Sequence, residues 1–579
     1  MNSSNSQLRY EANESCPPLL SLLVGFQGAV LGLPTLVMMA MAFGAVSGQD
    51  QERLAWTMFG ALLMSAGVTA LQASRIWRFG VRHIFLTALS TNHLVVCVLA
   101  LEAGGYTLMT SLLIVSALCY LAVATWLPLL RRVITPTVTG VVFIMICVSA
   151  LPLCMELMTD APAGTAPGQD LYVAGATLAV FTLLIMRAPP RLRVWATLVG
   201  MACGCALAAP FGFFDLEPLY GASWVGFPSV KLPGLDLMPP AEFWAMAPMF
   251  AMVTLVQGVK GIGDAIVVQQ VSQRQPRATD FRIVQGTLYA NGVGFVASAF
   301  FGIPPTAFFT SMTSSLVTLT GVASRYVGYV VAVILLAIAL SPKLTSIFLL
   351  IPSPVLGAIL LVAVGLFFMQ GVQSIIQDGI DATKTIIVGL AFAAGTGMEF
   401  QNIFEGLIAS PWDLLLGSGV TMGGLVAVVL TLFVELSRSR PRRLTTRLDL
   451  SELAGIDNFL KDVAARMAWN EAATDRLRSA GEESVSSLLQ PDNEFAEAGS
   501  QDNPPRLMIS ARPDGKAVDL EFISVLEEEN LGDRLLFLEE EPQVVDEREV
   551  SFRLLRHYAS SVKHQKYHGM DIITVRVEN

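Results

Sequence analysis

Two groups of residues in this chain could meet a ligand in apolar surroundings. The first is Lys260-Gly261-Ile262-Gly263-Asp264, a clear charge pair inside a long apolar run. A charge at mid-membrane costs on the order of 2.5 to 3.5 kcal/mol on insertion scales, so such residues face a cavity or a partner. A spacing of four puts both side chains on one helix face, close enough to pair. The structural alternative is mutual neutralisation, or a lysine snorkelling near the cytoplasmic end. The second group is hydroxyl-rich. Gly302-Ile303-Pro304-Pro305 is followed by Thr306-Ala307-Phe308-Phe309-Thr310-Ser311-Met312-Thr313-Ser314-Ser315, and Thr87-Ala88-Leu89-Ser90-Thr91-Asn92-His93 is a shorter counterpart. In each, a short strand entering a helix N-terminus would aim free N–H groups and positive dipole at a ligand. The same runs would also let helices pack closely. His93 reads either as a satisfied buried histidine or as a proton carrier.

The elements that must position these groups are membrane helices. With 53% hydrophobic and 15% charged residues, the chain is too apolar for an ordinary soluble globule. The apolar residues fall in blocks between Leu19 and Leu436, each long enough to cross a hydrocarbon core of roughly 30 Å. The first block, about 19–43, is too long for a signal-peptide core and reads as a retained span. The remaining blocks lie near 54–72, 84–101, 107–130, 135–158, 171–187, 194–211, 242–267, 284–301, 306–320, 326–341, 353–373, 382–396 and 413–436. Fourteen spans are therefore expected.

Arginine supports that count. Arg75, Arg78 and Arg82, then Arg131 and Arg132, Arg187, Arg191 and Arg193, Arg274, Arg277 and Arg282, Arg325, and Arg438, Arg440, Arg442 and Arg443 all follow even-numbered spans. Basic loops favour the cytoplasm, so both termini are predicted to be cytoplasmic, in an inner membrane. Two sets of seven spans start on opposite sides, the inverted-repeat architecture of secondary transporters with a midplane site. The seven cysteines show no metal-binding spacing and read as small core residues. No metal, cofactor or nucleic acid is implied, and the reading is of a transporter, not an enzyme.

The predicted organisation is a polar segment 1–18, a membrane domain 19–436, a basic linker 437–447 and a cytoplasmic α+β domain 448–579. Leu448 to Leu489 carries apolar residues at helical spacing, broken near Trp469; Asp492 to Pro505 is an acidic linker. Strand-like runs follow at Arg506–Ser510, Val518–Ser524 and Ile572–Val577, with a helix predicted between about Val550 and His564. The layout resembles the ATP-binding domain of histidine kinases. Ala480-Gly481-Glu482-Glu483-Ser484-Val485-Ser486-Ser487 is similar to that family's Glu-Glu-x-x-x-Asn box. Ser487 stands where the metal-binding Asn belongs, and no Asp-x-Gly-x-Gly motif follows, so a degenerate regulatory module is expected. The basic run Arg553, Arg556, His557, Lys563, His564, Lys566 and His568 reads as a solvated face, with docking to anionic lipid or to the acidic linker as the alternative.

Residues 19 to 436 resemble the nucleobase/ascorbate transporter family, the uracil and xanthine permeases. The resemblance rests on Leu319-Thr320-Gly321-Val322, Ser324-Arg325, Ser341-Pro342-Lys343, Ile351-Pro352-Ser353-Pro354-Val355-Leu356-Gly357, Gly365 and Gly371. Upstream, Thr135-Pro136-Thr137-Val138-Thr139-Gly140 and Gly25-Phe26-Gln27 add to it. It implies an all-α polytopic fold with strands in spans 3 and 10. A core of spans 1–4 and 8–11 would move against a gate of spans 5–7 and 12–14. It also implies proton or sodium coupling, a homodimer, and substrate held between the two strands and span 8. The site residues so implied are Lys260, Asp264, Ser90, Thr91, Ser311, Met312 and Thr313, with Asp264 the coupling candidate. Family members place Glu where Lys260 stands, and Glu or Gln followed by Asn at the stretch Ser311-Met312-Thr313. An ammonium donates and cannot accept hydrogen bonds, so the expected substrate is an anionic or carbonyl-rich solute such as a urate-like purine. The alternatives are a sulfate-permease-type anion transporter and a non-transporting sensor.

Overall fold

The computed structural model describes residues 8–48, 50–125, 135–160, 165–189, 195–214, 217–235, 240–274, 279–377, 379, 381–401, 416–437, 442–489, 506–514, 517–525, 558–567 and 570–578. Contacts divide the chain into two compact units, Met1–Pro276 with Ile283–Phe433, and Arg277–Arg282 with Val434–Asn579. Several expected features lie outside the described residues. They are Arg131, Arg132, Arg191, Arg193, Arg277, Arg438 and Arg440, the linker 492–505, and positions 550–557 of the predicted tail helix.

In the first unit, seven described helices are long and apolar enough to cross a membrane. These are α1 (Pro18–Val46), α2 (Gln51–Ala73), α3 (Thr91–Thr125), α4 (Pro136–Thr159), α5 (Gln169–Arg187), α7 (Ala241–Val271) and α12 (Ser353–Gln377). The others are α6 (Ala196–Ala208), α8 (Phe281–Phe301), α9 (Thr310–Thr320), α10 (Tyr326–Ala339), α11 (Pro342–Leu349), α13 (Ala382–Phe400) and α14 (Gly419–Ser437). The pair α10 and α11 bends by 82° at its break and together would make an eighth span.

Helix α3 takes in parts of both the third and the fourth apolar blocks. At 1.5 Å per residue its 35 residues would run roughly 50 Å, longer than one crossing needs. The chain solves this at Gly104 and Gly105, whose dihedrals are non-helical, with φ +70° at Gly105, a conformation open to glycine.

Two short strands interrupt the helices where the sequence predicted them. Strand β1 (Thr87–Leu89) pairs antiparallel with β3 (Thr306–Phe308), Ala88 opposite Ala307. Pro304 and Pro305 explain part of this, since neither has an N–H to continue a helix. The ladder is extended by Ser90 N–H to Pro305 O at 2.7 Å and Phe309 N–H to Leu86 O at 3.0 Å. Each strand is followed by one residue and then a helix, α3 or α9, so the two helix N-termini leave opposite ends of one small ladder.

Packing sorts the membrane helices into two sets. Helix α7 lies along α3, and α10 lies along α2 and α1; separately, α4 lies along α12 and α13, and α5 along α6 and α12. The α4–α12 approach needs glycine. A Cβ on Gly140 would sit 2.6 Å from Gly371 O, and one on Gly371 would sit 2.9 Å from Gly140 O. The start of α4 is set locally, with Pro136 in its first turn and Thr135 Oγ1 accepting from Val138 N–H at 3.3 Å, a standard N-cap.

The second unit is a sheet carrying two helices. Its six strands run in the order β2-β7-β8-β6-β5-β4, where β2 is Thr279–Asp280, β4 Arg442–Arg447, β5 Arg506–Asp514, β6 Ala517–Val525, β7 Ser561–Tyr567 and β8 Met570–Glu578. Alternate residues Leu507, Ile509 and Ala511, then Val518, Leu520 and Phe522, then Ile573, Val575 and Val577 are buried, the period-two signature of a one-sided sheet. Helices α15 (Leu453–Arg466) and α16 (Glu471–Leu489) contribute Ile456, Leu460, Val463, Leu477 and Val485 to the same core. They break around Trp469, where Ala468 takes φ +52° and Asn470 Oδ1 caps Ala473 N–H at 2.8 Å.

Two expectations are corrected here. The segment expected as a basic linker contains β4, paired along its length with β5. Residues 561–564, expected in a helix, lie in β7, because the chain turns back within a hairpin and pairs Ser561–Tyr567 with β8. Backbone pairing with a neighbouring strand overrides helical spacing in a segment this short.

Candidate functional site

The strands bring the predicted site residues onto one locus, but not all of them face it. Ser90 is buried; its Oγ lies 3.1 Å from His93 Nδ1 and 3.4 Å from Gln257 Oε1. Thr91 opens α3 and, with Asn92, walls a small cavity of about 20 Å³, the room of roughly one water molecule. Cys147 and Ala150 of α4 and Val364 and Phe367 of α12 form its other sides. The cavity therefore lies between the two helix sets.

Lys260 and Asp264 share a face of α7 but form no ion pair among the described residues. Instead Lys260 Nζ lies 5.2 Å from the Phe367 ring centroid and 5.9 Å from that of Phe309, within cation–π range. The expected pairing is thus replaced by contact with two aromatic faces, one on each helix set. Asp264 is buried; the Lys260 charge and the Thr310 hydroxyl both act on its carboxylate. Neither contact completes a hydrogen bond to Asp264 Oδ2 or from Thr310 Oγ1. Tyr120 Oη and Asn291 Nδ2 are likewise buried without a completed bond, and Tyr120 is also subject to the Asp264 charge. Buried polar atoms in native proteins rarely go unpaired, so a cluster of them marks a place where water, an ion or a ligand belongs.

The three residues expected on span 10 separate. Ser311 is exposed, and Met312 is half-buried with its sulfur 3.9 Å from Thr35 Oγ1. Thr313 is fully buried, but its hydroxyl accepts from Leu86 N–H at 3.0 Å and donates to Phe309 O at 3.3 Å, fastening β1 to α9. The residue that meets Asp264 is Thr310, which the sequence reading passed over. A signal for it was present. Thr87-Ala88-Leu89-Ser90-Thr91 and Thr306-Ala307-Phe308-Phe309-Thr310 share the pattern Thr-Ala-x-x-Thr, and in both the last threonine opens the helix.

His93 is a satisfied core histidine. Thr254 gives its only hydroxyl proton to Phe250 O at 2.7 Å, so it accepts from His93 Nε2 at 3.1 Å. That fixes the tautomer and leaves Nδ1 to accept from Ser90. The ring edge also meets Phe295 at 5.2 Å between centroids.

The sequence of this unit matches the model of the permease family that comprises the xanthine and uracil permeases, over residues 20–404. The chain belongs to the xanthine/uracil permease family. Its members are transporters rather than enzymes. The permease is 28% identical over 453 residues to xanthine permease XanP of Escherichia coli, covering 74% of this chain and 95% of that one. It is 24% identical over 418 residues to uric acid permease PucK of Bacillus subtilis, covering 72% and 95%. Among solved structures, the transmembrane domain of the cyanobacterial bicarbonate transporter BicA superposes with a TM-score of 0.45 at 18% identity, covering 72% of the permease and 99% of BicA.

Proposed function

We propose that this permease carries an anionic or carbonyl-rich nucleobase, of the oxo-purine kind, through the membrane by alternating access. The observation that carries the reading is Lys260, set between Phe309 and Phe367, with Asp264 Oδ2 buried without a partner one turn on and Phe367 lining the cavity at the α3 N-terminus. An ammonium and two aromatic faces suit a flat ring bearing negative charge or carbonyl oxygens. The relatives named above, a xanthine permease and a uric acid permease, support that class.

A cavity of about 20 Å³ is far below the several hundred Å³ that hold small ligands. Substrate entry therefore requires α4 and α12 to part from α3 and α7. In this reading the set with α3, α7 and α9 is the core and the set with α4, α5 and α12 is the gate. The matched strand–helix units belong to two inverted repeats of seven spans. Asp264, buried and incompletely bonded, takes up the coupling proton or sodium ion. Both termini are cytoplasmic in an inner membrane, the assembly is a homodimer, and the tail domain is regulatory.

The test is uptake by purified, reconstituted protein carrying Lys260→Glu. The variant is expected to lose anionic purines such as urate and to shift toward neutral bases whose ring N–H groups donate to a carboxylate. Unchanged substrate preference would refute the assignment. A sulfate-type anion transporter is the second reading that Lys260 favours; it predicts sulfate or bicarbonate uptake that purines do not inhibit.

A further inference from the structure

One buried polar group beside Lys260 is unused by the reading above. Gln257 lies on α7 one turn before Lys260 and is completely buried. Its Oε1 accepts from Asn92 Nδ2 at 2.6 Å and faces Ser90 Oγ at 3.4 Å, while its Nε2 has no partner. The orientation of this amide is held by Asn92, whose Nδ2 is its donor. Thr254 accepts from His93, so His93 Nδ1 claims the Ser90 proton, and Asn92 supplies the donor that Gln257 Oε1 needs. An unsatisfied NH₂ in the interior costs free energy. Leucine or methionine would fill the same space without that cost.

Resting on the purine reading, we propose that Gln257 is a substrate-reading residue and that its NH₂ works with the Lys260 ammonium as a two-point donor. Positions i and i+3 on a helix stand about 5 to 6 Å apart at Cβ, on the scale that separates two carbonyl oxygens flanking one ring nitrogen. Asn92, which lines the cavity, is the positioning residue: its Nδ2 holds the Gln257 oxygen and leaves the NH₂ free. A site with two donors selects dioxo- and trioxo-purines, xanthine and urate, over a base with one carbonyl such as hypoxanthine. It rejects adenine, which has none. A site that hydrogen-bonds a substrate group discriminates strongly against an analogue lacking it, since the protein group is then left unpaired.

The experiment measures competition by urate, xanthine, hypoxanthine and adenine in proteoliposomes of the full chain and of Gln257→Met. The variant is expected to bind xanthine and urate roughly tenfold more weakly, with hypoxanthine much less affected, so that the selectivity series flattens. Gln257→Glu keeps size and the acceptor for Asn92 but cannot donate, so it gives the same flattening should the Met variant fail to assemble. Asn92→Ala is expected to weaken xanthine and urate in the same order by freeing the amide. An unaltered series in a monodisperse Gln257 variant overturns the role of Gln257. Absence of any purine uptake by the unmodified chain overturns the purine reading itself.

Discussion

The contact of Lys260 with Phe367 ties one helix set to the other, and its removal has a calculable consequence. Lys260 sits on α7 and Phe367 on α12, with 5.2 Å between Nζ and the ring centroid. If the sets part to admit substrate, this contact exists only in the closed arrangement. A cation–π contact contributes about 0.5 kcal/mol when exposed and about 2 kcal/mol when desolvated. Its loss should shift the closed–open equilibrium toward open by roughly 2- to 30-fold, because a contact biases an equilibrium by its differential energy between the states. The substitution is Phe367→Leu, which keeps an apolar side chain while deleting the ring. The reporter is Cys147, buried in the cavity wall on α4, kept as the single cysteine and titrated with a maleimide. Its alkylation should quicken by that factor. In a Lys260→Met background the same substitution should change little. An unchanged rate, or an equal acceleration without the lysine, would show that the ring does not hold the sets together through the cation.

Two further outcomes follow from the termini. Glu14 grips Arg274 through two bonds of 2.6 and 2.8 Å, while Arg9 N–H and Ala323 N–H anchor the same N-terminal segment to the α9–α10 corner. Burial opposes the Glu14 charge, but Arg274 and the Glu11 amide outweigh it and hold the carboxyl below the usual carboxylate range. A depressed folded pKa means that the contribution is complete above the unfolded value, about 4.3, and is lost as pH falls through the lower folded value. Hydrogen exchange over residues 8–16 should therefore be faster in Glu14→Gln than in the unmodified chain at neutral pH. The difference should vanish in acid and remain below about 1 kcal/mol, since both partners are over a third exposed. For the tail, Ser487 is buried and its hydroxyl lacks a partner, and a lone serine does not replace a metal-binding amide. Magnesium-ATP should leave the melting temperature of the purified full chain unchanged; a rise would restore nucleotide binding to this domain.

Patterns of short range were legible in the sequence. Pro304 and Pro305 forbid helix and the hydroxyl runs tolerate extension, so both strands could be placed, and Gly140 and Gly371 appeared as motif residues before their facing carbonyls explained them. The strand-like runs of β5, β6 and β8 were likewise legible, while their one-sided burial came from the fold. The strand β4 did not show, because its charged sequence resembles a linker until β5 supplies the partner that completes its backbone bonds. Residues 561–564 differ from the expected helix for a related reason: pairing with β8 decides between helix and strand where local preference is weak.

The sequence alone determined the membrane class, the polar character of the tail and the identity of the charged residues on α7. It determined these because hydrocarbon thickness and helix period act on neighbouring residues. Only the tertiary structure decided what those residues touch. It turned Lys260 from Asp264 toward Phe309, just before α9, and Phe367 on α12, moved the span 10 contact from Ser311, Met312 and Thr313 to Thr310, and left the Gln257 NH₂ without a partner beside Asn92. Each outcome depends on chain segments about 50 to 170 residues apart in sequence, and hydrogen-bond and ring geometry at that range is set by packing, which no local spacing encodes.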